Sequence, residues 1–269
     1  MYLIDESSDY ARINNWAATI AASPGVGRNL QTFATIAAPA AASYCPALSI
    51  ACSTRGLGPT QLWVQAASFF SPRNGKKLYF YNGYRPMSGS FATEDEGASL
   101  RQLGWIQHKK NIQRWFYWES TYYNNFQHGT GETNVFRQAK TFGGTSGKDP
   151  VMGETGRNYT NGDGVLFYPG TDLIYPQDSY GLDGPIASLR LKYWRRGIQD
   201  ADYLEMAKKI SSARTAAIVE RMVPKVLWEY GVSDPADPTW ILGDISWSTN
   251  PDDWEAARRE LAEIIEGRG

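Results

Sequence analysis

The feature that most constrains the fold is an alternation of short apolar segments with amphipathic segments along the chain. Apolar strands that alternate with helices predict a parallel β-sheet covered by α-helices. The predicted strands are 2–4, 31–38, 77–81, 114–118 and 165–168, with a weaker candidate at 48–50. The predicted helices are 9–22, 96–111, 184–196, 200–221 and 253–265, and the segment 61–70 is undecided between helix and strand.

Three interruptions complete this prediction. Ser23-Pro24-Gly25 ends the first helix, and Gly197 predicts a break between two helices near the carboxy-terminal end. The segment 122–163 is rich in Gly, Asn and Thr and has little periodicity, so it predicts an elaborated loop. Residues 39–52 are small and are interpreted as a loop.

Several predicted strands end in acidic, Asn or aromatic residues just before a loop. In β/α-barrels the chemistry lies at these carboxy-terminal strand ends. The 269 residues would suffice for one barrel, but the predicted strands do not reach eight. We therefore expect the α/β class, and specifically the carboxy-terminal part of a (β/α)8 TIM-type barrel whose early strands are absent. The expected division is a barrel portion at 1–223 and a helical extension at 224–269.

Composition and charge narrow the function classes. A net charge of −1 provides no basic footprint for nucleic acid, and no run approaches the ~18 apolar residues of a membrane span. The 16 Tyr and 10 Trp fill a core or stack on sugar rings. Cys45 and Cys52 are compatible with a disulfide or with two free thiols, and they make a poor zinc site. We predict no metal and no cofactor, and we expect His108 and His128 in loops or on the surface.

The adjacent carboxylates Asp5 and Glu6 are the leading catalytic candidates. Side chains of successive strand residues point in different directions, so one carboxylate can orient a substrate group while the other donates a proton. A neighbouring carboxylate also helps to keep an acid protonated. The alternative is a solvated turn that caps the following helix, because Ser7, Ser8 and Asp9 precede it.

Further candidates for substrate binding follow three other strands. Alternation places Trp115, Tyr117 and Glu119 on one face and Phe116 and Trp118 on the other. Each group also has a simpler interpretation, in which the aromatic residues fill the core, Asn82-Gly83 is a turn and Arg85 is a surface charge. The candidate binding residues are Tyr81, Asn82, Arg85, Trp115, Tyr117, Trp118, Glu119 and Tyr168.

Several segments together resemble one family of enzymes. They are Tyr-Leu-Ile-Asp-Glu at 2–6, Tyr-Asn-Gly-Tyr-Arg-Pro at 81–86, Arg-Trp-Phe-Tyr-Trp-Glu-Ser at 114–120, Asn-Gly-Asp-Gly-Val-Leu-Phe-Tyr-Pro-Gly at 161–170, and the segment 188–204. In this order they resemble the catalytic domain of glycoside hydrolase family 123 and its uncharacterised relatives. The resemblance covers residues 2 to about 210, and Ser7 stands where Pro is common in relatives.

The resemblance implies a β/α-barrel enzyme that cleaves β-linked N-acetylgalactosamine with the substrate's own acetamido group as nucleophile. It implies that Asp5 positions that group and that Glu6 protonates the leaving oxygen. It also implies a carbohydrate substrate and an extracellular or periplasmic location, although residues 1–6 lack the features of a signal peptide.

Two alternatives remain open at the level of the sequence. One is a glycosidase for sugars that lack the acetamido group, with Glu119 as the partner carboxylate. The other is a carbohydrate-binding or structural fragment without catalysis, completed by a second copy or by a missing amino-terminal half, because an incomplete barrel exposes sheet edges.

Overall fold

The computed structural model describes residues 1–93, 95–124, 131–139, 161–232 and 245–268. Most of the predicted loop at 122–163, with His128, lies outside these ranges. The α-helices are α1 (Tyr10–Ala21), α2 (Ala38–Tyr44), α3 (Thr60–Phe69), α4 (Ala98–Lys110), α5 (Leu189–Ile210), α6 (Ser212–Met222) and α7 (Pro251–Ile265). The strands are β1 (Phe33–Thr35), β2 (Ile50–Ser53), β3 (Lys77–Tyr81), β4 (Arg114–Phe116), β5 (Phe167–Pro169) and β6 (Pro185–Ala187). Short 3-10 helices span Gly25–Asn29, Pro72–Asn74 and Leu227–Tyr230.

The first four strands form a parallel sheet in sequence order, β1-β2-β3-β4. Ala34 pairs with Ala51, Ala51 pairs with Leu78, and Phe80 pairs with Trp115. The predicted strand at 2–4 contributes a single parallel bridge between Tyr2 and Phe33. This arrangement confirms the predicted α/β class with a parallel sheet and helices between its strands.

The two faces of the sheet have different surroundings. On one face, Ala34, Ala51, Leu78, Phe80 and Trp115 belong to the main hydrophobic core together with residues of the helices. The opposite face carries a smaller cluster of buried residues, joined by partly buried Phe33 and Phe116; its buried members are Ile50, Cys52, Tyr79 and Tyr81. Strands that are buried on both faces have continuous apolar sequences, as at 77–81.

The face with the smaller cluster is concave. The ring centroids of Phe33 and Phe116 are 5.8 Å apart, although β1 and β4 are separated by two strands. In a flat sheet these strands would be about 14 Å apart, and their side chains would stand parallel to each other. The sheet must therefore be strongly curved for the two rings to meet. Within the described ranges it has four strands and is open, so the structure shows a curved parallel sheet and not a closed barrel.

One predicted strand does not join this sheet. The apolar segment 165–168 was expected to continue the parallel arrangement, but β5 pairs with β6 in a separate antiparallel two-stranded sheet. The pair Pro169 and Pro185 lies at one end of this ladder. Proline has no backbone N–H to donate, and it is therefore confined to edges and ends of strands. A short separate ladder satisfies this restriction.

The predicted helix break near Gly197 is wrong. α5 runs without interruption through this residue and ends before Ser211. A Cβ atom at Gly197 would lie 2.2 Å from the carbonyl oxygen of Arg101, and one at Gly104 would lie 2.1 Å from the carbonyl oxygen of Gly197. The two glycines therefore permit a close crossing of α4 and α5, which a sequence alone does not reveal.

A buried ionic cluster joins α4, α5 and α7. The carboxylate of Asp200 is fully buried and accepts hydrogen bonds from Arg101 Nε at 2.6 Å, Arg258 Nη1 at 2.8 Å and Trp105 Nε1 at 3.1 Å. Trp254 of α7 belongs to the same core as the parallel sheet. The proposed boundary between 223 and 224 stays a prediction. No helix in the described part of the chain has the length and hydropathy to cross a membrane.

Both cysteines are buried free thiols, which decides between the alternatives that the sequence left open. Cys45 lies in the main core and Cys52 in the cluster on the concave face. Burial raises the pKa of each thiol above its ordinary value.

Candidate active site at the carboxyl edge of the sheet

The carboxyl ends of the strands bring distant polar side chains to one place. Asp5 and Glu6 follow the bridge that Tyr2 makes with β1, Thr35 is the last residue of β1, and Tyr81 is the last residue of β3. Parallel strands end at the same edge of a sheet, and the curvature of this sheet brings these ends closer together. This group, Tyr2, Asp5, Glu6, Thr35 and Tyr81, is called the carboxylate site below.

Asp5 is fixed by two hydroxyl donors. Oδ1 accepts hydrogen bonds from the Tyr2 hydroxyl at 2.6 Å and from Thr35 Oγ1 at 2.8 Å. The Tyr2 and Thr35 hydroxyl oxygens are themselves 3.1 Å apart. Hydrogen bonds to an ionised carboxylate are stronger than neutral ones, so this triangle holds Asp5 in one orientation.

Glu6 is held by its backbone and by its side chain. Its φ of 43° lies in the left-handed region, which is uncommon for a residue with a long side chain. Its backbone N–H donates to Thr35 Oγ1 at 2.7 Å, and its carboxylate accepts a hydrogen bond from the Tyr81 hydroxyl. Thr35 therefore connects the two carboxylate residues, and the unusual backbone turns Glu6 toward β3. Unfavourable backbone conformations often occur at functional sites.

The hydroxyl groups of Tyr2 and Tyr81 donate hydrogen bonds to the two carboxylates. Burial and the hydrogen bond to Asp5 raise the pKa of Tyr2 well above its ordinary value. Burial and the neighbouring Glu6 do the same to the pKa of Tyr81. Both hydroxyls therefore keep their protons at neutral pH. The residues Asp5 and Glu6 are themselves exposed, so a ligand can reach the pair from solvent.

The alternative interpretation of this segment holds for a different residue. Asp9 caps α1, because its Oδ1 accepts the backbone N–H of Arg12 at 3.0 Å. Ser7 Oγ accepts the backbone N–H of Asp9 at 3.1 Å. Helix capping is thus performed by Asp9, whereas Asp5 and Glu6 contact Tyr2 of the same segment, Thr35 of β1 and Tyr81 of β3.

Asn82 links the ends of β3 and β4. Its backbone N–H donates to the carbonyl oxygen of Phe116 at 3.0 Å, and its Oδ1 accepts the backbone N–H of Trp118 at 3.3 Å. Its φ of 55° is left-handed, as expected for a turn. These contacts stabilise the loop ends and agree with the interpretation as a turn.

Arg85 is not a solvated surface charge. Its Nη1 lies 3.7 Å from Asp95 Oδ1 and 3.2 Å from Glu96 Oε1, and only 24% of its side chain is exposed. The Arg85-Pro86 peptide bond is cis. Arg85 therefore belongs to the loop between β3 and α4.

Tyr117 and Trp118 meet at Asp163. The Tyr117 hydroxyl and Trp118 Nε1 both donate to Asp163 Oδ1, the latter at 2.9 Å. Burial raises the pKa of Asp163, although these hydrogen bonds oppose the shift. Tyr117 also stacks on Phe91 with ring centroids 3.9 Å apart. This cluster anchors the Asn-Gly-Asp-Gly turn at 161–164 beside the end of β4.

The remaining predicted residues lie in three different surroundings. Trp115 is buried in the main core against Phe80, with centroids 5.3 Å apart, and its Nε1 donates to the carbonyl oxygen of Asn82 at 2.6 Å. Because it lies on the helix-covered face, a sugar at the carboxylate site would not reach it. Glu119 Oε1 accepts the backbone N–H groups of Ser120 at 2.7 Å and Thr121 at 3.2 Å, so it caps its own turn. Tyr168, on β5, lines a separate cavity.

Sequence reasoning missed three residues that organise these sites. Tyr2 and Thr35 hold Asp5, and Asp163 gathers Tyr117 and Trp118. A polar residue at the end of the apolar segment 33–35 was the available signal for Thr35. Asp163 was interpreted as part of a turn, and nothing local distinguishes a turn aspartate from a buried one.

Comparisons with known proteins leave the family open. No protein-family model matches the chain, and no curated protein matches it. Among solved structures, a family 123 glycoside hydrolase from Clostridium perfringens, described in work on glycolipid glycan hydrolysis, aligns with a TM-score of 0.49 and 12% identity. The alignment covers 99% of this chain and 40% of that one. A likeness at this level does not by itself establish a shared activity.

Proposed function

We propose that this chain is a retaining glycoside hydrolase, or the catalytic part of one, which cleaves β-linked N-acetylhexosamine glycosides of the N-acetylgalactosamine type. The observation that carries the proposal is the meeting of Asp5 and Glu6 with Thr35 of β1 and Tyr81 of β3 at the carboxyl edge of the sheet. In α/β folds of this kind, this edge is where substrates bind.

The two carboxylates take different roles in this proposal. Asp5 accepts both of its hydroxyl donors at Oδ1, so we assign Oδ2 to the acetamido N–H of the substrate. The acetamido oxygen attacks C1 while the bond from C1 to the leaving oxygen breaks, and Glu6 gives its proton to that oxygen. Glu6 then removes a proton from the water that opens the cyclic intermediate. The two displacements retain the configuration at C1.

We also propose that the curved sheet is an arc of a (β/α)8 barrel at 1–223, followed by a helical extension at 224–269. Two observations support this proposal. The four strands follow one another in sequence order with helices between them. On the concave face, the ring centroids of Phe33 on β1 and Tyr79 on β3 are 6.2 Å apart. Barrel interiors are likewise filled by side chains from alternate strands. Further strands from a second copy or another segment would complete the barrel.

The test of the catalytic proposal is hydrolysis of an aryl N-acetyl-β-galactosaminide. Glu6→Gln should lower kcat/KM by about 100-fold or more, the ordinary contribution of a general acid. Glu119→Gln is the matched control, because Glu119 caps its own turn, and it should leave kcat/KM within a few-fold. Unchanged hydrolysis by Glu6→Gln would show that the assignment is wrong.

A second substrate separates the mechanisms. An aryl β-galactoside lacks the acetamido nucleophile, so it should not be cleaved. If it is cleaved as well as the N-acetyl substrate, the assisted mechanism fails, and another carboxylate must act as nucleophile. Asp5→Asn should then have little effect, whereas the proposal predicts a loss comparable to that of Glu6→Gln.

One observation favours a second candidate, a carbohydrate-binding domain without catalysis. Asp5 and Glu6 are both exposed, whereas catalytic acids are commonly kept protonated by an apolar surrounding. A titration with N-acetyl-D-galactosamine alongside the hydrolysis assay separates the two candidates. Binding that Asp5→Asn abolishes, with no turnover of any aryl glycoside, would favour the binding domain.

A further inference from the structure

A cavity lies beside the loop that precedes α4, apart from the carboxylate site. Its volume is about 410 Å³. It is bounded by residues within 90–93 and 95–97, by Leu100 of α4, by Tyr168 of β5, and by Ser188, Leu189, Arg190 and Tyr193 at the start of α5. Its lining includes none of the five residues of the carboxylate site. Cavities of this size hold small organic ligands, so this cavity is large enough to be a separate binding site.

Two tyrosines belong to the lining. Tyr168 comes from β5 and Tyr193 from α5, and both are partly exposed. A Cβ atom at Gly97 would lie 3.1 Å from Cε2 of Tyr193, so the glycine leaves room for this ring. Tyrosine presents an apolar face with a polar edge, which suits a ring whose faces are apolar and whose rim is polar.

The rest of the lining supplies hydrogen-bonding groups whose charges cancel. Asp95 and Glu96 line the cavity together with the side chain of Arg190. The guanidinium of Arg85 lies 3.2 Å from the Glu96 carboxylate and 3.7 Å from that of Asp95. Among the residues that the structure describes here, two negative and two positive groups sum to zero charge. Ser90, Thr93 and Ser188 are the hydroxyl-bearing residues of the lining.

Arg190 makes the cavity a preformed one. Its Nη1 donates to the carbonyl oxygens of Phe91 at 2.5 Å and Gly162 at 2.7 Å, and its Nη2 donates to that of Val165 at 2.5 Å. The start of α5 is thereby tied to the loop at Phe91 and to the turn at 162–165. A preformed site loses less conformational entropy when a ligand binds.

We propose that this cavity binds a neutral, polyhydroxylated ring, that is, one or two units of a neutral carbohydrate. The two tyrosines stack on the ring, and the carboxylates and hydroxyls accept and donate hydrogen bonds at its rim. A cationic ligand is disfavoured by Arg190 and Arg85, and an anionic one by Asp95 and Glu96. This site does not require hydrolysis at Glu6, so the proposal goes beyond the catalytic one.

The experiment measures binding of a panel of neutral sugars by saturation-transfer NMR: D-glucose, D-galactose, D-mannose, N-acetyl-D-galactosamine and lactose, each up to about 10 mM. At least one sugar should bind to the Glu6→Gln variant, in which turnover is removed. When they are added to the Glu6→Gln variant, Tyr168→Ala and Tyr193→Ala should each raise the Kd for the sugar about tenfold, which is the ordinary contribution of one stacked aromatic ring to binding. Gly97→Ala should also weaken binding, because the added methyl group displaces Tyr193.

Controls separate binding from folding. Tyr193→Phe keeps the ring and should keep binding within about threefold, and Tyr180→Ala removes an exposed tyrosine outside the cavity and should have no effect. Thermal unfolding of every variant shows whether the fold is intact. The proposal is overturned if no sugar in the panel binds, or if binding persists unchanged in both Tyr168→Ala and Tyr193→Ala. Loss of hydrolysis in Glu6→Gln with retained sugar binding would separate the two proposals.

Discussion

Replacing Gly197 with alanine should change the free energy of unfolding, and the sign of that change distinguishes two explanations of this glycine. If Gly197 only weakened the helix, alanine would stabilise the protein by about 1 kcal/mol, the difference in helix propensity between the two residues. The structure predicts instead that alanine destabilises the protein. The added Cβ would lie 2.2 Å from the carbonyl oxygen of Arg101, whereas ordinary contacts begin at 3.4 Å.

The size of the effect follows from what must move. The obstructing atom belongs to the backbone of α4, so no side-chain rotation relieves the contact, and the two helices must separate by about 1 Å. Overpacking of this kind costs about 3 kcal/mol at the upper end of the ordinary range. Subtracting the gain in propensity leaves a net destabilisation of about 2 kcal/mol. Separation would also stretch the 2.6 Å bond between Arg101 and Asp200.

The assay is urea denaturation followed by far-UV circular dichroism, with thermal unfolding as a second readout. A loss of about 2 kcal/mol should lower the Tm by roughly 4–8 °C in a chain of this size. Gln199 is exposed in the same helix, and the difference between Gln199→Ala and Gln199→Gly calibrates propensity alone. Gly104→Ala, which meets the other side of the crossing, should be destabilising as well. If Gly197→Ala unfolds at or above the wild-type midpoint, the close crossing of α4 and α5 is refuted.

Three other changes test the core, a titrating group and the carboxylate site. Asp200→Asn should cost about 3–5 kcal/mol of unfolding free energy, because it removes the buried negative charge that pairs with Arg101 and Arg258. The exposed control Asp202→Asn should cost less than about 0.5 kcal/mol, and equal losses would contradict this. Burial lowers the pKa of His108 below its ordinary value, so the folded state favours the neutral imidazole. Stability should therefore fall as the pH drops from about 7 toward 5, and this dependence on pH should be weaker in His108→Gln. If the Tm of the variant depends on pH as steeply as that of the wild type, His108 is not the group responsible. Tyr81→Phe removes the donor to Glu6 and should lower kcat/KM about tenfold with little change in Tm, and unchanged kinetics would show that this contact is not used.

The elements that the sequence predicts well are those with local signals. α1 begins at an aspartate cap and has a periodic apolar face, and the structure confirms it within one residue at each end. β3 coincides with the predicted strand at 77–81. In both elements the side chains that decide the conformation lie within the element or next to it.

Elements without such signals were missed or misassigned. α2, at Ala38–Tyr44, consists mostly of alanine, so it has no apolar and polar faces to contrast. Its Pro39 looked like a loop residue, yet proline is favourable in the first turn of a helix. Gly197 was assigned to a break because a glycine lowers helix propensity. The carbonyl oxygen that explains it belongs to a helix about 90 residues earlier in the chain.

The carboxylate site shows the same limit. The adjacent acids are visible in the sequence, but Glu6 binds Thr35, which is 29 residues away, and Tyr81, which is 75 residues away. These partners are set by the order and curvature of the strands. Sequence spacing carries no information on either, so the acids were predictable and their positioning residues were predictable only in part.

The aromatic residues illustrate why abundance does not locate a binding site. The predicted alternation from 115 to 119 requires an extended strand, but β4 ends at Phe116. Beyond it, Tyr117 and Trp118 donate hydrogen bonds to the partly buried carboxylate of Asp163, while Trp115 packs in the core. Tyr81 touches Glu6 but is itself buried. The aromatic ring that combines contact with Asp5 and wide exposure is Tyr2, with 51% of its surface accessible. A sugar held by Asp5 would therefore meet the ring of Tyr2, whereas Trp115 and Trp118 serve the fold.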